Sequence, residues 1–134
     1  MPQLDNKTIV IVGGTTGLGL AAAKAFVGEG ARVVLVGRNA DSVSQAESAL
    51  GQAARGLAGD ATDSQTAAEA IDLAKREFGG FDGLYHVAVG TGRSIGDGPL
   101  HGFSDGGWRQ MRDLNLTSRF HSDRSSPHVF SPTV

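Results

Sequence analysis

Glycines at positions 13, 17 and 19 are spaced Gly-x-x-x-Gly-x-Gly and stand directly behind a short β-branched run, Ile9 to Val12. Residues of this type at this spacing suit the close approach of a phosphate to the main chain. A turn without Cβ atoms lets an anion reach the amides. A helix starting near Gly17 leaves its first N–H groups unpaired and presents its positive dipole end. A nucleotide pyrophosphate is the ligand this predicts. Gly17, Gly19 and Ala22 also satisfy Gly-x-Gly-x-x-Gly/Ala, so spacing alone leaves the register open. Position directly after the apolar run favours the register that begins at Gly13. No Lys-Ser or Lys-Thr pair follows these glycines, which argues against a nucleoside triphosphatase.

Arg38 bears on which nucleotide is bound. It follows Gly37 at the end of a second apolar run, Arg32 to Val36, where a site for the unmodified ribose of NAD usually carries an acid. An arginine there favours a 2′-phosphate and therefore NADP. A charge-assisted hydrogen bond is worth about 1.5 to 3 kcal/mol, or roughly ten- to a hundredfold in affinity, less where solvent screens it. Asp60 is placed at the carboxyl end of a third strand, where open α/β sheets bind ligands, but an aspartate beside a helix start serves equally as a cap. Position alone leaves both roles open.

The elements that must hold these residues follow from hydrophobic period. Lys7 to Val12 reads as the first strand, and Leu18, Ala22, Ala25 and Phe26 recur at helical spacing, so the period changes across the glycines. Gly28 and Gly30 end that helix and the second strand follows, making a βαβ unit with parallel neighbours. Asn39 and Asp41 suit the cap of the next helix, whose stripe is Val43, Ala46, Leu50 and Ala53. Leu57-Ala58 is a weak third strand, and Ala67, Ile71, Ala74 and Phe78 give a third helix stopped by Gly79-Gly80. Phe81 to Val89 reads as a fourth strand, leading into a glycine-rich loop from Gly90 to Gly102. Ser104 can cap a last helix with Trp108, Met111 and Leu114 on its apolar side. Residues 119 to 134, rich in serine with two prolines and no apolar period, read as a disordered tail.

Composition narrows the partners. A chain of 134 residues is one domain, short for a complete doubly wound dinucleotide enzyme. A formal charge of −2 with no basic block gives no reason to expect nucleic acid or an anionic membrane as partner. The chain contains no cysteine, so disulfides, thiolate metal sites and a cysteine nucleophile are excluded within it. His86, His101, His121 and His128 lack metal-ligand spacing and read as packed or exposed side chains, so no metal is expected. No apolar stretch approaches membrane-spanning length and no signal peptide precedes the first strand, so a cytoplasmic location is expected.

The glycine turn, Arg38, Asp60, the fourth strand and Asp113-Leu-Asn-Leu-Thr117, taken in order and spacing, resemble the short-chain dehydrogenase/reductase family over roughly residues 5 to 118. The resemblance implies a Rossmann-type doubly wound parallel sheet, here incomplete, with about four strands in order 3-2-1-4 and helices on both faces. Residues 1–118 would form a partial NAD(P)-binding domain and 119–134 a tail outside the family pattern. It implies cofactor contacts at Gly13, Thr15, Thr16, Gly17, Leu18 and Gly19, at Arg38, at Asp60 and Ala61, and at Ala88 and Gly90. Val12 replaces the family's threonine before the first glycine. The family's Asn-Asn-Ala-Gly falls on His86-Val87-Ala88-Val89 and keeps only the alanine, with Gly90 next in line for the turn. Its helical asparagine, a member of the catalytic tetrad, falls on Asn115.

The family's catalytic serine and Tyr-x-x-x-Lys have no counterpart here, and Tyr85, the only tyrosine, has no lysine four residues on. In the family, hydride passes between the nicotinamide and a small carbonyl or alcohol substrate while the tyrosine moves the proton. The resemblance therefore implies an oxidoreductase cofactor half, truncated and nearly inert alone, for want of general acid–base catalysis worth about 10² to 10⁴. The alternative is a non-catalytic NADP(H)-binding or interaction module. An open fourth strand, exposed apolar surface and a homo-oligomer through the helix near 104–118 are further expectations.

Overall fold

The computed structural model describes residues 2–90 and 98–126. Four parallel strands, β1 (Thr8–Val12), β2 (Arg32–Gly37), β3 (Ala54–Ala58) and β4 (Gly83–His86), form one sheet in the order β3-β2-β1-β4. This is the order expected for an incomplete doubly wound fold. Every side chain of β1 is buried, because helices cover both faces of the sheet. Ile9 and Ile11 join Val33, Leu35, Ala23 and Ala46 on one face, against α1 (Gly17–Gly28) and α2 (Ala40–Leu50). Val10, Val12, Val34 and Val36 join Ala70, Ile71 and Ala74 of α3 (Thr66–Phe78) on the other. Burying each such branched side chain contributes about 1.5–3 kcal/mol, so the central strand pair is the rigid base of the molecule.

The third strand is longer than Leu57-Ala58. All five of its residues pair with β2, from Ala54 opposite Val33 to Ala58 opposite Gly37. Only Ala54 is fully buried, which hides the strand from an apolar count. Arg55 lays its guanidinium 5.2 Å from the centre of the Phe78 ring and 3.5 Å from Glu77. The Gly56 amide donates to Glu47 Oε2 at 2.6 Å. The fourth strand is shorter than Phe81 to Val89. Past His86 the amides of both Val87 and Ala88 donate to the single Val12 carbonyl, at 2.8 and 3.0 Å, which ends the ladder and turns the chain outward.

Ser104 caps α4 (Asp105–Arg112) as expected, its hydroxyl accepting from the Gly107 amide at 3.0 Å. Trp108 does not lie on an apolar inner side with Met111 and Leu114; it is 60% exposed. A π-turn over Asp113–Thr117 links α4 to α5 (Ser118–Ser125). The helix thus continues through residues expected to be a disordered tail. Its buried side chains are Ser118 and Ser122, with Ser126 buried just beyond, one turn apart. A buried row made of serine carries no apolar period, and it is stable because each hydroxyl has a partner: His86 and the Leu114 carbonyl, His86 again, and the Asp123 carbonyl. Residues 127–134 of the expected tail lie outside the described residues.

Candidate functional site

The carboxyl ends of all four strands are tied together beneath one open cleft. Gly13 and Gly14 donate to the Val36 carbonyl at 2.9 and 3.1 Å, and Gly59 donates to the Gly37 carbonyl at 2.9 Å. With Val87 and Ala88 bonded to Val12, the strand ends hold four loops in fixed register. The cleft, about 350 Å³, is walled by the turn after β1, by Gly37 and Arg38, by Gly59 to Ala61 and by Val87 to Val89, with Leu114 at one side.

Each glycine of the turn has its own reason. Gly13 has φ 92°, and a Cβ there would lie 2.7 Å from the Ala88 amide nitrogen. Gly19 presses on the Gly13 carbonyl oxygen, so the helix start can sit against the turn only without a side chain. Gly17 has φ 52° and nothing within 4 Å of where its Cβ would be, so its missing side chain leaves open space rather than relieving a clash. Thr16 is the N-cap of α1 and makes no side-chain capping bond. The first turn contains no acid either. The amides at the start of α1 therefore keep donor capacity and positive potential at the cleft.

Around this start stand the polar side chains. Thr15 is buried against Gly37, where a Cβ would strike its hydroxyl. Arg38, exposed, shares a second concavity with Thr15, Thr16, Asn39 and Ser42. Asn39 caps α2, its Oδ1 accepting from the Ser42 amide at 3.0 Å. Asp60 caps no helix, since α3 begins only at Thr66. Its Oδ1 accepts from the Thr62 amide at 2.9 Å and from the Thr62 hydroxyl at 2.8 Å. These bonds hold its carboxyl below the usual carboxylate range, with a smaller contribution from the Arg38 charge.

Of the residues expected to contact a cofactor, Gly13, Thr15, Thr16, Gly17, Leu18, Arg38, Asp60, Ala61 and Ala88 line the cleft. Gly19, packed against the Gly13 carbonyl, and Gly90, packed beside Leu114, are not among the residues lining it. Gly90 is instead held by Asn115, whose Oδ1 accepts from the Gly90 amide and whose Nδ2 donates to the Gly90 carbonyl, both at 3.1 Å. The same Nδ2 donates to the Met111 carbonyl at 3.0 Å. Asn115 is thus a clamp between the π-turn and the loop after β4, with its side chain spent on backbone. Val12, Val36, Gly37, Gly59, Val87, Val89 and Leu114 also line the cleft. Most of them flank the expected positions, and strand-end placement was the signal available for them. Leu114 comes from a distant helix and had no such signal.

His86 is half-buried and fully engaged. Its Nδ1 lies 2.9 Å from Ser122 Oγ, and its Nε2 lies 3.2 Å from the Ala88 carbonyl and 3.3 Å from Ser118 Oγ. Burial lowers its pKa below the ordinary histidine value. Tyr85, on the neighbouring position of β4, meets Phe26 edge-on with ring centres 5.9 Å apart. Among the described residues no group of three His, Asp or Glu side chains is placed to hold a metal ion. No helix among them is long and apolar enough to cross a membrane.

A sequence profile of short chain dehydrogenases matches residues 7–128. The chain belongs to the short-chain dehydrogenase family. Within the family it is similar to serine 3-dehydrogenase of Agrobacterium fabrum, 36% identical over 110 residues that make up 82% of this chain and 43% of that protein. It is also similar to an NADP-dependent (R)-specific alcohol dehydrogenase of Lentilactobacillus kefiri, 31% identical over 125 residues, 91% of this chain and 48% of that protein. A Brucella melitensis short-chain dehydrogenase/reductase of the glucose/ribitol dehydrogenase type superposes with TM-score 0.84 at 25% identity, over 95% of this chain and 53% of that one. The 3-ketoacyl-(acyl-carrier-protein) reductase of the same organism, solved with NADH, shares the fold with TM-score 0.86. The chain spans about half the length of these family members.

Proposed function

We propose that this chain is the cofactor-binding half of a nicotinamide-dependent oxidoreductase and that it binds NADP in preference to NAD. The observation that carries the reading is the uncapped start of α1, free of acids and of side chains at Gly17, opening into a cleft at the carboxyl ends of four parallel strands. Those residues fit the group: the start of α1 carries no capping side chain and no acid, so its unpaired amides could receive a diphosphate, while a Cβ at Gly13 or Gly19 would collide with neighbouring backbone. Arg38 and the hydroxyls of Thr15, Thr16 and Ser42 would receive the ribose 2′-phosphate. Asp60 and Ala61 would border the adenine side, and Val87 to Val89 the opposite wall.

When bound, the nicotinamide ring supplies or accepts the hydride exchanged with a small carbonyl or alcohol. This chain's own residues bind and orient that ring's carrier. Asn115 braces the loop at Gly90 and would act through it. The sequence holds no Tyr-x-x-x-Lys, so the chain alone would be nearly inert. The helix near 104–118, which exposes Trp108 and Leu116, is the surface through which a second copy would pair. Fluorescence titration with NADPH and with NADH tests the reading. Tighter binding of NADPH, reduced toward NADH in Arg38→Ala, supports it; equal affinities in both proteins remove the NADP preference, and no binding of either nucleotide refutes the reading.

A further inference from the structure

His86, at the first position of the stretch that aligns with the family's Asn-Asn-Ala-Gly, ends β4 between the cleft wall and α5. The Ala88 carbonyl can only accept, so the Nε2 that lies 3.2 Å from it carries the ring proton. Nδ1 of the neutral ring is then an acceptor, and the Ser122 hydroxyl 2.9 Å away donates to it. Ser118 Oγ gives its own proton to the Leu114 carbonyl and shares the Nε2 proton with Ala88. One tautomer satisfies every partner. Ser118 and Ser122 are buried, at 0% and 1% exposure, so the ring is held by groups that cannot turn to water instead.

The consequence runs to the cleft. Ala88 donates its amide to Val12 and, through its carbonyl, accepts from His86, so both of its backbone polar groups are fixed. Val87, Ala88 and Val89 form the cleft wall, and Leu114, whose carbonyl takes the Ser118 proton, lines the cleft beside them. We propose that His86 is a positioning residue of the dinucleotide cleft: pinned by Ser118 and Ser122 as the Nε2–H tautomer, it sets the Ala88 carbonyl and with it the Val87–Val89 wall. This inference rests on the reading of the cleft as a nicotinamide dinucleotide site. It makes the buried serines of α5 part of that site's support, and it explains why a helix so poor in apolar residues is held to the sheet.

The test compares wild type with His86→Gln, His86→Ala and Ser122→Ala. A glutamine amide reaches the same position as Nε2 and can donate to Ala88; alanine cannot. Calorimetric titration with NADP⁺ and NAD⁺ is expected to show His86→Ala weakened about two- to tenfold, the worth of one hydrogen bond, with His86→Gln restored to near the wild-type value. A fall in thermal stability of His86→Ala with unchanged affinity would make the residue merely structural and overturn the proposal. Nitrogen and amide NMR of the nucleotide-free proteins decides the point separately. Wild-type His86 is expected as the Nε2–H tautomer, with Ala88 and Val89 amide shifts displaced in His86→Ala, recovered in His86→Gln and partly displaced in Ser122→Ala. An Nδ1–H tautomer, or wall amides indifferent to all three substitutions, overturns the positioning. If wild type binds neither nucleotide while the NMR pattern holds, the dinucleotide reading fails and the positioning of the wall stands.

Discussion

Substituting alanine at Gly13 and at Gly17 should separate the two jobs of the glycine turn. At Gly13 two penalties combine: φ 92° is foreign to an L side chain, and the new Cβ would lie 2.7 Å from the Ala88 amide nitrogen, a backbone atom that cannot swing aside. Left-handed backbone costs about 1–2 kcal/mol and overpacking about 1–3, so Gly13→Ala should lose roughly 2–5 kcal/mol. That is a large part of the roughly 5–15 kcal/mol by which a domain is stable. At Gly17 the backbone penalty remains, with φ 52°, but nothing lies within 4 Å of the new methyl. The stiffer unfolded chain recovers about 0.4–1 kcal/mol, leaving a net loss of up to about 1.6 kcal/mol. The methyl would instead stand where phosphate oxygens approach the amides. Losing one charge-assisted bond there is worth about 1.5–3 kcal/mol, roughly ten- to a hundredfold in Kd. Urea midpoints and NADPH fluorescence titrations on the two variants measure both quantities. A Gly17→Ala protein that binds NADPH as wild type does, or a Gly13→Ala protein as stable as wild type, would refute the reasoning.

Other outcomes follow from single contacts. Asn39→Ala should cost about 1 kcal/mol by stripping the cap of α2, read in the urea midpoint, whereas Asn39→Ser should restore most of it. Leu35→Ala, at a fully buried position of β2, should cost about 2–5 kcal/mol and unfold the most marginal preparations. Because burial lowers the His86 pKa, the unfolded chain takes up that proton first as pH falls, so stability present above about pH 6.5 should decline below it. A wild-type urea midpoint that falls no further than that of His86→Gln between pH 7.5 and pH 5.5 would contradict this. Asp60 works in the opposite sense of ionisation. Its carboxyl is held low by Thr62, so its contribution is present above the usual carboxylate range and disappears as pH falls through the folded-state value. Asp60→Ala should lower the midpoint by about 0.5 kcal/mol at neutral pH, the small end for an exposed hydrogen bond, and by less in acid.

The sheet was readable where physics wrote it twice. For β1 and α1, apolar period and turn chemistry agree, and the break between them falls on glycines whose conformations demand glycine. The caps at Asn39 and Ser104 were readable for the same reason, since only a short polar side chain serves there. What escaped was structure built on unlike neighbours. Strand β3 hides its residues under Arg55, Phe78 and Glu77 instead of burying branched side chains. Helix α5 hides its period in Ser118, Ser122 and Ser126, polar residues buried because His86 and main-chain carbonyls satisfy them. Trp108 misled in the other direction, as an apolar residue at the right helical spacing that faces outward. In the cleft, the strand-end positions were legible and Leu114 was not, because the contact depends on how a π-turn aims a distant helix.

In the proposed function, the first amides of α1 hold the diphosphate of a nicotinamide dinucleotide. An amide-resolved NMR titration of the ¹⁵N-labelled chain with NADPH measures this directly. The largest shifts should fall on the amides of Gly17, Leu18 and Gly19, with smaller ones at Arg38 and at Ala88. Saturable binding that leaves those three amides unmoved, or no binding at all, would contradict it.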